Sequence, residues 1–344
     1  MAKPTTKRAH GNVSIYDVAN LAGVSLMTVS RVVNNSDKVS VVTTLKVQRA
    51  IEQLGYRPNA SAKALATSRT STVGVVIPSM SNNVFTDVVS GIVDTFHGSA
   101  YSVQFANTYY DNARELEAIK LFASQRIGGL ILAGIDQPPA TKKLLKSLGI
   151  PIVQIMDVSS KPLDMLVGFS HSDAAGLAAN HLIDCGYRHI GFLGAQMDKR
   201  TQKRRAGFVK ALNASRNTTW CELTTTQSST VSLGHELLKQ LKQQQPALDA
   251  VFCNNDDIAI GAYFAAQQLG LRIPQDLGIV GFNDLDMVRV TNPAITSVQT
   301  NLRHIGDTSA RMLLDKLSGA TGGANLIETP VSIQVRGSTQ IQNA

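Results

Sequence analysis

From residue 72 onward the chain alternates short, almost unbroken apolar runs with helix-length stretches, and this alternation constrains the fold more than any other feature of the 344 residues. TVGVVIP (72–78), YSVQFANT (101–108), GLILAG (129–134), PIVQIMD (151–157) and MLVGFSH (165–171) read as strands, as do HIGFLGA (189–195), DAVFCNN (249–255) and LGIVGFND (277–284). Helices are expected between them, near 84–98 and 112–125, after Ser172 and Asp173, and after HIGFLGA. Strands that are apolar on both faces need cover on both faces, so the pattern predicts parallel sheets sandwiched by helices. There are too many units for one sheet of ordinary size, which points to two. Ligands in such folds bind beyond the carboxyl ends of the strands. The polar and aromatic residues at those ends are therefore binding candidates: Ser79, Asn82, Asn83 and Phe85; Asp157; Asn254, Asn255 and Asp256; Asn283 and Asp284. The helix after HIGFLGA adds Arg200 and Arg204, four residues apart and so on one face. Arg200 also sits near that helix's N-terminus, where backbone amides favour an anion.

The same stretch carries none of the motifs that chemistry would require. PSMSNNVF (78–85) does not supply the G-x-G-x-x-G of a dinucleotide fold, and there is no P-loop and no G-x-S-x-G elbow. Gly168-Phe169-Ser170-His171-Ser172 comes nearest, but it lacks the second glycine and reads as polar strand-end chemistry. His235-Glu236 has no second histidine four residues on, and Cys185, Cys221 and Cys253 form neither a disulfide framework nor a metal spacing. No enzyme activity, cofactor or metal is expected. The apolar runs are too short to cross a bilayer, and the basic N-terminus is not followed by an apolar segment, so neither membrane association nor secretion is expected.

Charge separates the first fifth of the chain from the rest. Residues 1–70 hold ten Lys and Arg against three acids, Asp17, Asp37 and Glu52, while the remainder is close to balanced. Such asymmetry suits a polyanionic partner docking at one end. Within that end, SIYDVANLAGVSLMTVSRVVN (14–34) spells two short helices around Gly23. Ser14 and Asp17 form an N-terminal cap, Ile15, Val18 and Ala19 share a face, and Ser25 opens a second helix with Val29 and Val32 inward. This is the helix-turn-helix pattern. A third helix is expected from Ser40 to Gly55, frayed at its β-branched start, Val41 to Thr44. Residues 59–69, NASAKALATSR, follow Pro58 as an Ala-rich linker too short to be a stable helix alone.

Tyr16-Asp17-Val18-Ala19, Ala22-Gly23-Val24-Ser25, Thr28-Val29-Ser30-Arg31 and Gly55-Tyr56-Arg57-Pro58-Asn59 together resemble the DNA-binding headpiece of the lac repressor (LacI/GalR) family. In such a motif the second helix enters the major groove with its N-terminal side chains toward base edges. Leu26, Met27 and Arg31 would face outward. Leu26 and Met27 would read shape and thymine methyl groups, and Arg31 would hold either a guanine or a phosphate. Tyr16, Ser25, Thr28, Ser30 and Asn34 would fix register on the backbone or bases. The resemblance further implies that the linker folds on DNA, pairs with its dimer mate and wedges Leu65 into the minor groove. Asn59 and Lys63 would make contacts there.

The resemblance extends over residues 14–339, to an effector core like that of periplasmic sugar-binding proteins. It implies a basic tail (1–13), a helix-turn-helix domain (14–58), a hinge (59–70), a core (71–339) and a short tail (340–344). The core would comprise two interwoven parallel-sheet subdomains, 71–168 with 300–330 and 169–299 with 331–339, with the effector between them. Asn83, Phe85, Asp157, Arg200, Arg204, Asn255 and Asn283 are the expected effector contacts. At Asn283 relatives that bind neutral sugars or purines commonly carry aspartate. The amide removes a negative charge opposite Arg200 and Arg204, which suits an anionic ligand. PIVQIMD, the VGF strand and VFCNNDDIAIGA are similar to gluconate and idonate regulators of the family. The reading is thus a cytoplasmic, nucleoid-associated repressor, homodimeric on pseudo-palindromic operator DNA and controlled by a sugar acid. A neutral sugar, phosphosugar or nucleobase effector is the alternative, and a sugar-binding module or an enzyme a remote one.

Overall fold

The computed structural model describes residues 13–33, 38–56, 70–320 and 322–340. The chain divides into two compact units, residues 1–70 and 71–344.

Among the described residues the first unit holds three helices, α1 (Ile15–Ala22), α2 (Leu26–Val33) and α3 (Val41–Leu54). Asp17 reaches back to accept from both the backbone N–H and the hydroxyl of Ser14, fixing the first turn of α1. Gly23 ends α1 at φ 65°, a left-handed conformation a side chain would resist, and so permits the turn into α2. Val18, Ala19, Val29, Val32, Val47 and Ala50 form the small core. The β-branched start of α3 is helical from Val41 onward, not frayed as expected. Ser40 caps it, its hydroxyl accepting from the backbone N–H of Thr43.

The second unit is α/β. Its first sheet contains β1 (Thr72–Ile77), β2 (Ser102–Asn107), β3 (Gly129–Ala133), β4 (Ile152–Ile155), β5 (Met165–Gly168) and β11 (Leu326–Glu328). They lie in the order β11-β5-β4-β3-β1-β2, all parallel. The second contains β6 (His189–Gly194), β7 (Thr219–Thr224), β8 (Ala250–Cys253), β9 (Gly278–Asn283), β10 (Thr296–Gln299) and β12 (Ser332–Gln334). Its order is β12-β10-β9-β8-β6-β7, parallel except where β12 runs against β10. The chain passes between the sheets after β5, after β10, and between β11 and β12.

The named strand runs overshoot the strands because their polar ends are claimed by the next helix. Asn82 caps α4 (Asn83–Phe96), Ser170 caps α7 (His171–Asp184), Asp198 caps α8 (Lys199–Ala214) and Asn255 caps α10 (Asp256–Gln268). PIVQIMD stops at Ile155 because Met156 turns to φ 70°. Four strands, TWCELT, TSVQ, LIE and SIQ, fall outside the apolar runs. The first is a half-buried edge, and the second buries Thr296 and Ser297 only because Ser338 and Asp256 hydrogen-bond them. Central strands carry the load: Val73, Val75, Val76 and Ile77 of β1 are all buried. Each such side chain contributes ~1.5–3 kcal/mol.

Helices α7 and α8 pack face to face at Gly207, where an added Cβ would lie 2.0 Å from the carbonyl oxygen of Ser172. Only glycine permits that approach, and it brings the middle of α8 against the start of α7.

Candidate nucleic-acid interface and candidate effector cavity

In the headpiece, the capping that builds α2 also decides which of its side chains are free. The Ser25 hydroxyl accepts from the backbone N–H of Thr28 and lies 2.9 Å from the Thr28 hydroxyl, so both side chains hold the helix start together. Leu26, expected outward, is instead half-buried against the headpiece core, because the helix start turns its position inward. Met27 on α2 is 64% exposed and Tyr16 on α1 is 63% exposed. Arg31 is exposed and Ser30 half-buried. Asn34, Asn59, Lys63 and Leu65 lie outside the described residues. An exposed thioether, a phenol and a guanidinium on a helix-turn-helix unit can meet base edges and phosphates.

In the core, loops at the carboxyl ends of strands from both sheets converge on a cavity of about 180 Å³. Ser79, Ser81, Asn82 and Phe85 come from beyond β1, Tyr109 and Tyr110 from beyond β2, and Met156 from beyond β4. The second sheet supplies Gln196, Asp198, Arg200, Thr201 and Arg204 after β6, Ser228 and Ser229 after β7, and Asn254 and Asn255 after β8. Hydroxyls and amides dominate, with aromatic rings on one side. The volume is below the ~300–1,000 Å³ of sites for drug-sized ligands, which sets the scale at a single small polar molecule.

The two arginines differ electrically. Arg200 donates from Nε (3.1 Å) and Nη2 (2.9 Å) to Asp198 Oδ2, and its guanidinium lies 5.7 Å from the Phe85 ring centre and 5.9 Å from that of Tyr110. Burial is the largest influence and works against its charge, but Asp198, Tyr110 and Asp136 together outweigh it and the pKa is raised. The same pairing lowers the pKa of Asp198 against its own desolvation. Arg204 is only 7% exposed, yet among the described residues it has no carboxylate within 4.0 Å. Its Nη1 donates to the Asn254 carbonyl (2.7 Å), its Nε to His171 Nδ1 (3.1 Å), and its plane lies 4.0 Å from the centre of the Phe282 ring. Burial pushes its pKa down to about 10, with Asp198 opposing and Arg200 reinforcing the shift. The charged side chains lining the cavity thus leave one positive charge uncompensated.

Of the expected effector contacts, Phe85, Arg200, Arg204 and Asn255 line this cavity. Asn255 is also a cap, accepting from Ile258 N–H and donating to the Ser229 hydroxyl at 2.6 Å. Three others do not line it. Asn83, the first residue of α4, is not among the lining residues and lies near Asp257 of α10, whose carboxyl it pulls down against the larger upward push of burial. Asp157 is buried in an ion pair with Lys203 (2.6 Å) because Met156, not Asp157, turns into the cavity. Asn283 ends β9 at φ 105° and borders a separate cleft between α4 and α12 (Leu302–Leu317), so it does not face the arginines as expected. Asp284 beside it is paired with Arg289 and Arg336.

Sequence reasoning missed Tyr110, Asp198 and His171. Tyr110 accepts a hydrogen bond from Asn82 Nδ2 (3.2 Å) across the cavity's edge, and its hydroxyl pKa is raised by burial. The TYYD turn after a strand was the available signal. Asp198, at a cap position, carried one too.

Residues 14–59 match the family described as bacterial regulatory proteins, lacI family, and residues 179–339 match the periplasmic binding protein-like domain. The HTH-type transcriptional regulator GntR of Escherichia coli is 36% identical over 324 residues, 94% of this chain and 98% of that protein. The regulator IdnR of the same species is 34% identical, over 92% of this chain and 95% of its own. Among solved structures, the lac repressor dimer bound to operator and the anti-inducer ONPF superposes with a TM-score of 0.83 at 27% identity, covering 96% of this chain and all of that one. The fold and these comparisons define a DNA-binding transcriptional regulator with a periplasmic-binding-protein-like core. The chain belongs to the lacI family of bacterial regulatory proteins.

Proposed function

We propose that this chain is a transcriptional repressor that binds a pseudo-palindromic operator as a homodimer and releases it when a sugar acid of the gluconate or ketogluconate kind fills the core cavity. The observation that carries the effector class is Arg204, a buried guanidinium facing a hydroxyl- and amide-lined cavity with no carboxylate partner among the described residues. A carboxylate supplies the missing charge through charge-assisted hydrogen bonds, and the surrounding Ser, Thr and Asn side chains match a chain of hydroxyls. Phe85 and Tyr110 offer apolar faces to its C–H groups. One net positive charge fits a monoanion better than a phosphate dianion. Likeness to gluconate and idonate regulators in PIVQIMD, the VGF strand and VFCNNDDIAIGA supports the same reading. Tyr16, Met27 and Arg31 are the operator-facing side chains, with Leu65 the proposed minor-groove wedge.

Among the described residues no helix is long and apolar enough to cross a membrane, which accords with action on DNA in the cytoplasm. Titration calorimetry with gluconate, ketogluconate, glucose and purines, followed by gel shift with the chain's own promoter fragments, tests the proposal. Heat from the acids and their release of DNA support it. Heat only from neutral sugars or purines refutes the effector class.

A further inference from the structure

We propose that His171 is a positioning residue for the anion site: it aims Arg204 into the cavity while leaving the guanidinium's charge unspent, so that the site selects a carboxylate over its uncharged counterpart. The inference rests on the sugar-acid reading and adds the residue that sets the charge selectivity.

His171 opens α7 and is buried. Its Nε2 lies 2.8 Å from the Met156 carbonyl oxygen, which can only accept. Its Nδ1 lies 3.1 Å from Arg204 Nε, which can only donate. One state of the ring satisfies both neighbours, the neutral form protonated at Nε2. A protonated ring would turn an N–H toward the Arg204 N–H, and a flipped ring would leave the Met156 carbonyl unmet. Burial comes first in holding the ring neutral, and Arg204, Arg200 and Lys203, all on α8, also disfavour a second cation, together outweighing the opposing pull of the Met156 carbonyl. Phe169, just past β5 with ring centres 4.5 Å apart, and Phe282, on β9 of the other sheet at 6.3 Å, pack against the imidazole and hold its plane.

The consequence is chemical. A carboxylate at this position would also accept from Arg204 Nε, but it would neutralise the guanidinium and leave the ligand's charge nothing to meet. A neutral acceptor orients the arginine without discharging it. With Nε held by His171 and Nη1 by Asn254, Nη2 makes no hydrogen bond among the described residues and is available to the ligand.

The test uses the full chain as wild type, H171Q and H171E, an isosteric pair that differs in charge. Calorimetry compares gluconate with sorbitol, its uncharged counterpart. Wild type and H171Q should favour gluconate, whereas H171E should lose at least about tenfold of that preference with sorbitol binding unchanged. In the ligand-free wild type, His171 ring ¹⁵N shifts should report the Nε2-protonated neutral tautomer from pH 8 to pH 5. Retention of the preference by H171E, or titration of His171 within that range, overturns the inference. Should wild type ignore gluconate, the sugar-acid reading fails, and the tautomer measurement still decides whether His171 is held neutral. A melting curve for each variant guards against misfolding; if H171E does not fold, loss of preference in H171Q overturns the inference and the ¹⁵N titration stands on its own.

Discussion

Replacing Arg204 with methionine keeps an unbranched stem over the Phe282 ring and removes the guanidinium, and the structure sets opposite consequences for binding and for stability. In the ligand-free protein burial holds the Arg204 pKa down to about 10, so the folded state disfavours its charge by ~3 kcal/mol. Against this stand its hydrogen bonds to His171 and to the Asn254 carbonyl, each of a charged donor and so ~1.5–3 kcal/mol. The two bonds together, ~3–6 kcal/mol, exceed that penalty by ~0–3 kcal/mol, and R204M should unfold in urea within about 3 kcal/mol of wild type. Binding has no such compensation. Truncating one partner of a buried, hydrogen-bonded charge pair costs ~2–5 kcal/mol, which is roughly 30- to 5,000-fold in Kd for a carboxylate effector. Calorimetry with gluconate and urea unfolding on the same preparation provide both numbers. Unchanged gluconate affinity, or a loss of stability well beyond about 3 kcal/mol, would refute the reasoning that this cation is kept for a ligand.

Other expectations follow from the same geometry. Gly207→Ala forces a Cβ to 2.0 Å from the Ser172 carbonyl, so α7 and α8 must separate, and the urea midpoint should fall by an equivalent of ~1–3 kcal/mol or more; an unchanged midpoint would show slack between these helices. Asp256 is fully buried and its pKa is pushed up to about 7, first by desolvation. The folded acid therefore holds its proton more tightly than the unfolded chain does. That contribution, up to ~4 kcal/mol, is fully present below about pH 4 and is lost as pH rises through about 7. Asp256→Asn should flatten stability between pH 4 and 7, leaving the smaller same-sign effect of Glu115, also raised to about 7 by burial. A pH profile identical to wild type would count against it. Arg31→Ala should weaken operator binding at least about tenfold, read by fluorescence anisotropy. A phosphate contact would lower the salt slope by ~1, a guanine contact would relax base preference, and full retention of affinity would remove Arg31 from the interface.

The sequence by itself determined the two-unit plan and its chemistry class. The apolar runs that became β1, β3, β4, β8 and β9 are buried on both faces, and that alone demands helices above and below a parallel sheet. The headpiece was legible for a similar reason: caps at Ser14, Ser25 and Ser40 and left-handed glycines at 23 and 55 are local interactions, written within four residues of each other. Position along a strand end also brought Phe85, Arg200, Arg204 and Asn255 to attention. Tertiary structure alone decided which polar ends face the ligand. Asp157 and Asn283 occupy positions equivalent in sequence to lining residues, but a single backbone turn at Met156 and the φ of 105° at Asn283 point them elsewhere. Leu26 likewise turned inward once three helices closed on it. His171 was legible only as polarity at a strand end, because its proposed role depends on a carbonyl 15 residues before it and an arginine 33 residues after it. Local propensity fixes elements over a few residues, whereas the direction of a side chain at a strand's end, and the charge left over in a cavity, are set by partners that only folding brings together.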